Sequence, residues 1–133
     1  MFNSPLDIRH IGAHTFLLLA PLVYENKQFV ITVYDGFDYD GASIPKALWS
    51  VIGCPMGELY SSAACIHDAL YASRLLDRKS CDKIFHEAML SSGVDSALAK
   101  KMYLAVRAFG ESSYLENEEL LKYRDLIKIE LKG

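Results

Sequence analysis

Cysteine is scarce in this chain of 133 residues, which has three, Cys54, Cys65 and Cys81. An odd and low number of cysteines argues against a small secreted scaffold built on disulfides, and their semi-apolar positions predict free core thiols. The first ten residues also lack a basic segment followed by an apolar run, so no signal peptide is expected. Together these absences predict a protein kept in a reducing cytoplasm.

Long apolar runs and an excess of basic charge are missing as well. The longest apolar run, residues 16–23, contains Pro21 and is far shorter than the roughly 20 residues that a membrane-spanning helix needs. The formal net charge is −3, and the basic side chains are scattered along the chain rather than clustered. The sequence therefore predicts no integral membrane association and no nucleic-acid binding.

What the chain does contain is an ordinary globular composition, 51% hydrophobic and 23% charged, without repeats or linkers. A single domain over residues 1–133 is predicted. Residues 15–24 and 28–34 are rich in strand-forming side chains and predict a β-hairpin with its turn at residues 25–27. Residues 35–45 contain three aspartates, two glycines and a proline and predict a loop, with a short helix following at residues 45–51.

Helical patterns fill the remainder of the chain, at residues 59–73, about 80–93 and about 95–109. Ser80 is the expected N-cap of the second helix, and Gly93 the residue that ends it. The third helix carries an apolar stripe of Leu98, Met102, Ala105, Val106 and Phe109. A fourth helix is expected from about residue 116, and residues 127–131 fit either a helix or a strand. Strands followed by helices predict an α+β fold, a small antiparallel sheet and a bundle of three to four helices.

The helix at residues 59–73 carries one ionisable pair, His67 and Asp68, among small and apolar residues. Burying a carboxylate without partners costs several kcal/mol or more. Asp68 is therefore expected beside a cation, a metal ion or several hydrogen-bond donors. A histidine next to such a carboxylate is a candidate for acid–base or metal chemistry.

A second carboxylate, Asp82, borders the buried face of the next helix. Ala63 and Ala64, one turn before His67, allow that helix to approach closely, and the short connection at residues 74–79 implies an antiparallel pair. We expect an imidazole nitrogen of His67 within about 3.2 Å of Asp82. The carboxylate would fix the tautomer and leave the other nitrogen to take a proton. Alternatively, the pair ties the two helices together and has no chemical role.

Two short segments carry a resemblance to a known family. The run Ala-Ala-Cys-Ile-His67-Asp68-Ala-Leu-Tyr71, followed by Cys-Asp82-Lys-Ile-Phe, resembles the antiparallel His-Asp helix pair of the phospholipase A2 superfamily. The resemblance implies a hydrolase of lipid or other acyl esters, with His67 as the base that activates water and Asp82 as its orienter. It also implies calcium as a cofactor, with Asp68 as a ligand and the loop Asp40-Gly41-Ala42-Ser43 as the remainder of the site.

A longer pattern runs Phe37-x-x-Asp40-Gly41-Ala42-Ser43-Ile44-Pro45, Trp49, Ala63-Ala64-x-x-His67-Asp68-x-x-Tyr71, Asp82-x-x-Phe85-x-x-Ala88-Met89, Gly93-Val94 and Met102-Tyr103-x-Ala105-Val106-Arg107-x-Phe109-Gly110. This pattern is similar to a domain-of-unknown-function family that is frequent in tailed bacteriophages and prophages. This resemblance implies a phage-encoded protein in the host cytoplasm or in the virion, with phage structural proteins or a host protein as partners. A virion, tail-assembly or host-interaction role without catalysis is the alternative to the hydrolase.

The loop itself has two interpretations. Asp38, Asp40 and Ser43 could bind a hard cation such as calcium through their oxygens. Alternatively, the aspartates cap backbone N–H groups of a turn, with Gly41 adopting a positive φ. We expect Asp40 to lie toward the first helix, near Asp68 or Arg107, within about 10 Å of His67.

Two further side chains could join the site. Arg107 is expected to pair with a buried acid, either Asp40 or Asp68. His86 lies four residues after Asp82, and both could join His67 and Asp68 on one transition metal, although this spacing on an amphipathic helix is also typical of a surface position.

Overall fold

The computed structural model describes residues 1–12, 15–39, 60–111, 114 and 124–132. In this part of the chain, two three-stranded antiparallel sheets accompany three helices, so the predicted α+β fold is confirmed. The elements in chain order are β1 (Ile8–His10), β2 (Phe16–Leu18), β3 (Leu22–Glu25), β4 (Phe29–Val33), β5 (Asp38–Tyr39), α1 (Ser61–Ser73), α2 (Arg78–Ser91), α3 (Ser96–Phe109) and β6 (Ile127–Leu131). The helix predicted at residues 45–51 lies outside the described residues, and so does most of the helix predicted from about residue 116.

The predicted hairpin is formed by β3 and β4. Its turn is shaped by Asn26, whose side-chain oxygen accepts the N–H groups of Gln28 and Phe29 at 2.8 Å each. β6 completes this sheet in the order β3-β4-β6, with Phe29 opposite Leu131. The alternating segment near the end of the sequence is therefore a strand.

The prediction of one continuous strand over residues 15–24 was wrong. The chain leaves β2 after Leu18 and enters β3 at Leu22, and the two strands belong to different sheets. Pro21 lacks the N–H that a continuous ladder needs, which favours a break at this point. β2 pairs instead with β1 and β5, two short strands that the sequence did not predict. Tyr39 of β5 lies opposite Phe16, and both side chains are buried.

The first two helices form an antiparallel hairpin whose connection is short. Every residue of α1 except Ser62 is buried, as its apolar composition predicted. The N-cap of α2 is Asp77 and not Ser80, because the Asp77 carboxylate accepts both the backbone N–H and the hydroxyl of Ser80, at 3.2 and 2.6 Å. Gly93 follows the end of α2 with φ of 93°, as its predicted role requires.

α3 packs against α2 through Ala99, Met102 and Val106, which are fully buried. Phe109 was expected on the same buried stripe, but it is 71% exposed. The space at this end of the helix is already filled by the Tyr71 hydroxyl and the Arg78 guanidinium, both close to Gly110. Within the described ranges, no helix has the length and apolar character needed to cross a membrane.

Candidate functional site

The candidate site begins with a polar pair inside α1. His67 is fully buried and Asp68 is 8% exposed. The His67 ring lies beside the rings of Tyr71 and Phe85, with centroids 4.2 and 4.6 Å away. Because α1 has small residues on its neighbouring turns, α2 approaches closely enough for a side chain of α2 to reach the imidazole.

That side chain is Asp82, which is also fully buried. Its Oδ1 lies 2.8 Å from His67 Nε2, so the predicted contact between the two residues is confirmed. The Tyr71 hydroxyl, one turn after His67 on α1, donates to the same oxygen at 2.5 Å. An ionised carboxylate accepts hydrogen bonds but cannot donate them. The His67 tautomer must therefore carry its proton on Nε2.

The second oxygen of Asp82 faces two arginines. Arg107 Nη1 donates to Oδ2 at 2.9 Å, and Arg78 Nη1 lies 3.9 Å from the same atom. Arg107 was expected to pair with Asp40 or Asp68; the buried acid that it binds is Asp82. Arg78 was not predicted, although its position four residues before Asp82 on the same helix was a signal for the contact.

The electrostatics favour an ionised Asp82 and a neutral His67. Burial opposes ionisation of Asp82, but hydrogen bonds from His67, Tyr71 and Arg107 hold its pKa below the usual value. Burial also lowers the pKa of His67, and this effect exceeds the attraction of Asp82. A neutral imidazole that donates through Nε2 carries its lone pair on Nδ1, which is the arrangement required of a general base.

Asp68 lies on a different side of α1, near β5. Burial raises the pKa of the Tyr39 hydroxyl and of the Cys65 thiol, and the nearby charge of Asp68 raises both further. Cys65 and Cys81 are free, buried thiols as predicted, and Cys54 lies outside the described residues. Asp68 and His67 therefore belong to one helix but have different neighbours.

The calcium site implied by the resemblance is only partly covered by the structure. Asp40, Gly41 and Ser43 lie outside the described residues, so the predicted approach of Asp40 to α1 stays a prediction. Among the residues that are described, no three His, Cys, Asp or Glu side chains are arranged to hold a metal ion. Calcium takes 6–8 oxygen ligands, so this site would need the oxygens of the loop as well as the carboxylate of Asp68, and it stays a prediction.

His86 does not join the site. Its ring stacks on Tyr103 of α3, with centroids 5.1 Å apart and planes 27° apart. The side chain is half-buried between two helices and was expected at the surface or on a shared metal with Asp82. The stacking contact accounts for its position.

Comparison with known proteins places the candidate site within a protein family. Residues 16–106 match the family described as "Protein of unknown function (DUF1353)", a range that includes His67, Tyr71 and Asp82. Two proteins of Sinorhizobium fredii (strain NBRC 101917 / NGR234) are similar: "Uncharacterized protein y4jT" is 36% identical over 83 residues, 62% of this chain and 25% of that protein, and "Uncharacterized protein y4iH" is 39% identical over 71 residues, 53% of this chain and 30% of that protein. The matched segments thus span less than a third of either relative. No solved structure matches the chain significantly.

Proposed function

We propose, from the premise that the chain belongs to the DUF1353 family, that His67 and Asp82 form the general-base centre of a small acyl-ester hydrolase. The observation that carries this proposal is the hydrogen bond from His67 Nε2 to a fully buried, ionised Asp82. It fixes the tautomer whose Nδ1 accepts a proton. Tyr71 and Arg107 support the proposal because they hold the carboxylate that orients the ring.

The reaction that this pair would serve is the hydrolysis of an ester by water. Nδ1 of His67 takes a proton from water while the water oxygen attacks the ester carbonyl. The resulting imidazolium is stabilised by the Asp82 carboxylate and then returns its proton to the departing alkoxide. One water and one ester become one acid and one alcohol, and His67 ends neutral.

The substrate class is taken from the phospholipase A2 resemblance. The resemblance rests on a histidine and a tyrosine four residues apart on one helix and an aspartate of the next helix that holds the histidine. His67, Tyr71 and Asp82 support the proposal because Asp82 binds His67, and it also accepts from the Tyr71 hydroxyl. A fatty-acyl or phospholipid ester is therefore the proposed substrate.

A second function is favoured by the burial of the site. His67 and Asp82 are both fully buried, and Arg107 and Arg78 lie beside the carboxylate, as in a structural ion-pair network. In this function the protein is a phage-encoded component of the virion or tail, or a protein that binds a host partner in the host cytoplasm. The pair then ties the helices together.

The experiment compares His67→Gln with the parent protein. Glutamine keeps an N–H donor for Asp82 but supplies no base. With p-nitrophenyl esters and phospholipid vesicles, each with calcium or a chelator, the hydrolase proposal expects a loss of about 10²–10⁴ in rate with the fold retained. His86→Gln, outside the site, is the matched control and should keep the parent rate.

His67→Ala separates the two functions. Removal of the ring takes one hydrogen bond from the buried Asp82 and leaves a cavity, so a structural role predicts a loss of at least about 1.5–3 kcal/mol in the free energy of unfolding. A parent protein that hydrolyses none of these esters, together with such a loss, would reject the hydrolase and support the structural function.

A further inference from the structure

The end of α3 meets the candidate site at Gly110. This residue is buried, and its φ of −84° and ψ of −7° are ordinary for any amino acid. The backbone therefore does not require glycine. Glycine is required because there is no room for a side chain. A Cβ added here would lie 2.6 Å from the Tyr71 hydroxyl oxygen, 3.3 Å from Arg78 Nη1 and 2.5 Å from the carbonyl oxygen of Val106.

Arg78 fastens this end of α3 to α2. Its Nη1 and Nη2 donate to the carbonyl oxygens of Val106 and Arg107, each at 3.0 Å. These carbonyls lie in the last turn of the helix, where a guanidinium is well suited as a donor, and the carbonyl of Val106 also accepts the N–H of Gly110 at 2.9 Å. The backbone of Arg107 is thereby held while its side chain reaches Asp82.

The two oxygens of Asp82 are thus held from two directions. Oδ1 accepts from His67 and Tyr71, both on α1, while Oδ2 accepts from Arg107 on α3. A carboxylate that is bound at both oxygens cannot rotate about its Cβ–Cγ bond without breaking one set of hydrogen bonds. Its Oδ1 therefore stays in line with His67 Nε2.

We propose that Gly110 and Arg107 are positioning residues for the His67–Asp82 pair. Gly110 leaves the room in which the Tyr71 hydroxyl reaches Oδ1, and Arg107 holds Oδ2. Neither residue touches the reacting atoms. Their effect on catalysis rests on the hydrolase function proposed above, whereas their effect on the geometry of His67 does not.

The first test follows the Nε2 proton of His67 by NMR, since an imidazole N–H bound to a buried carboxylate is shifted downfield and exchanges slowly with water. Gly110→Ala should speed this exchange at least about tenfold, the equivalent of losing one hydrogen bond to a charged group, and should lower the melting temperature. Gly12→Ala is the control, because a Cβ there meets Thr15 only at 3.4 Å. An unchanged exchange rate in Gly110→Ala would overturn the role of Gly110, even if the melting temperature fell.

Gly110→Ala in a Tyr71→Phe background tests whether the Tyr71 hydroxyl is the reason that residue 110 must be glycine. In Tyr71→Phe the hydroxyl is absent, so an added Cβ at Gly110 has more room. Gly110→Ala should then lower the melting temperature less than it does in the parent protein. Equal losses in the two backgrounds would show that the contact with the Tyr71 hydroxyl is not what requires glycine.

The test of Arg107 uses a conservative pair. Arg107→Gln should speed the exchange of the His67 Nε2 proton, and Arg107→Lys, which keeps the charge, should restore most of the protection. Arg124→Gln is the control, because Arg124 binds the carbonyl of Ser73 at the end of α1. Exchange that is equally fast in the Lys and Gln variants, or unchanged in both, would overturn the role of Arg107. If the chain hydrolyses esters, Gly110→Ala and Arg107→Gln should lower kcat and leave KM nearly unchanged, whereas Arg124→Gln should change neither.

Discussion

Tyr71 and His67 donate to one oxygen of Asp82, from positions one helical turn apart. The hydroxyl and the imidazole therefore depend on the same carboxylate. A change at Tyr71 should therefore alter the hydrogen bond of His67 through their shared partner Asp82.

The Tyr71 hydroxyl should contribute more to stability than an ordinary buried hydroxyl. Tyr71→Phe is expected to cost about 1.5–3 kcal/mol, because its acceptor is a charged group. Tyr114 donates to the carbonyl oxygen of Leu76 at 2.9 Å, so Tyr114→Phe should cost about 0.5–1.5 kcal/mol. Urea unfolding of both variants measures the difference, and equal costs would contradict the charged-acceptor argument.

Asp82→Asn should be among the most destabilising isosteric changes in the chain. It leaves Arg107 without its buried counter-ion and replaces an acceptor with a group that also donates, at an expected cost of about 3–5 kcal/mol. Asp77→Asn on the same helix is the control, because asparagine is an equally good N-cap. Unfolding curves with the same midpoint for the two variants would show that Asp82 is not a buried ion-pair partner.

Acid should destabilise the fold through His67 first. Burial lowers the pKa of His67 in the folded chain below its ordinary value of 6.5, so the unfolded chain binds the proton at higher pH. The stabilisation is fully present above pH 6.5 and is lost as the pH falls toward the folded pKa, with a slope of at most about 1.4 kcal/mol per pH unit. Asp82, whose pKa lies below 3.8 in the fold despite its burial, adds a loss of the same sign at lower pH.

The measurement is the free energy of unfolding by urea between about pH 7 and pH 4. His67→Gln should flatten this part of the pH dependence, whereas His86→Gln should leave its slope unchanged. A slope that survives in His67→Gln would assign the effect to other groups.

The two described cysteines should be inert in the folded protein. Burial raises the pKa of both Cys65 and Cys81 above the ordinary value of 9.0, and a thiol reacts through its thiolate. In a Cys54→Ser background, a thiol reagent at about pH 8 should label neither residue until denaturant is added, when both should react. Rapid labelling of the native variant would mean that the core opens near one of them.

The sequence was sufficient to predict the contact between His67 and Asp82. Helical periodicity determines which side chains share a face, and both residues border apolar stripes on consecutive helices with a short connection. The burial of α1 followed from the same pattern. The position of a residue on its helix therefore predicted its contacts within one or two helical turns.

What periodicity could not supply was the reach of long side chains and pairing between distant segments. The guanidinium of Arg107 reaches from α3 to Asp82 on α2, and its partner could not be identified from the position of Arg107 on α3 alone. β1 and β5 are strands only because β2 lies between them, and nothing local marks such short segments. Gly110 directly follows the predicted third helix, and nothing in the sequence indicates that the Tyr71 hydroxyl lies against it.

The pairing of β4 with β6 joins segments about a hundred residues apart. During synthesis at about 5–20 residues per second, β4 leaves the ribosome several seconds before its partner exists. Over that interval one edge of β4, including the buried Ile31 and Val33, lacks its final neighbour. The nascent chain is therefore exposed to wrong strand pairing at this edge, and a chaperone that binds extended apolar segments would find its target there.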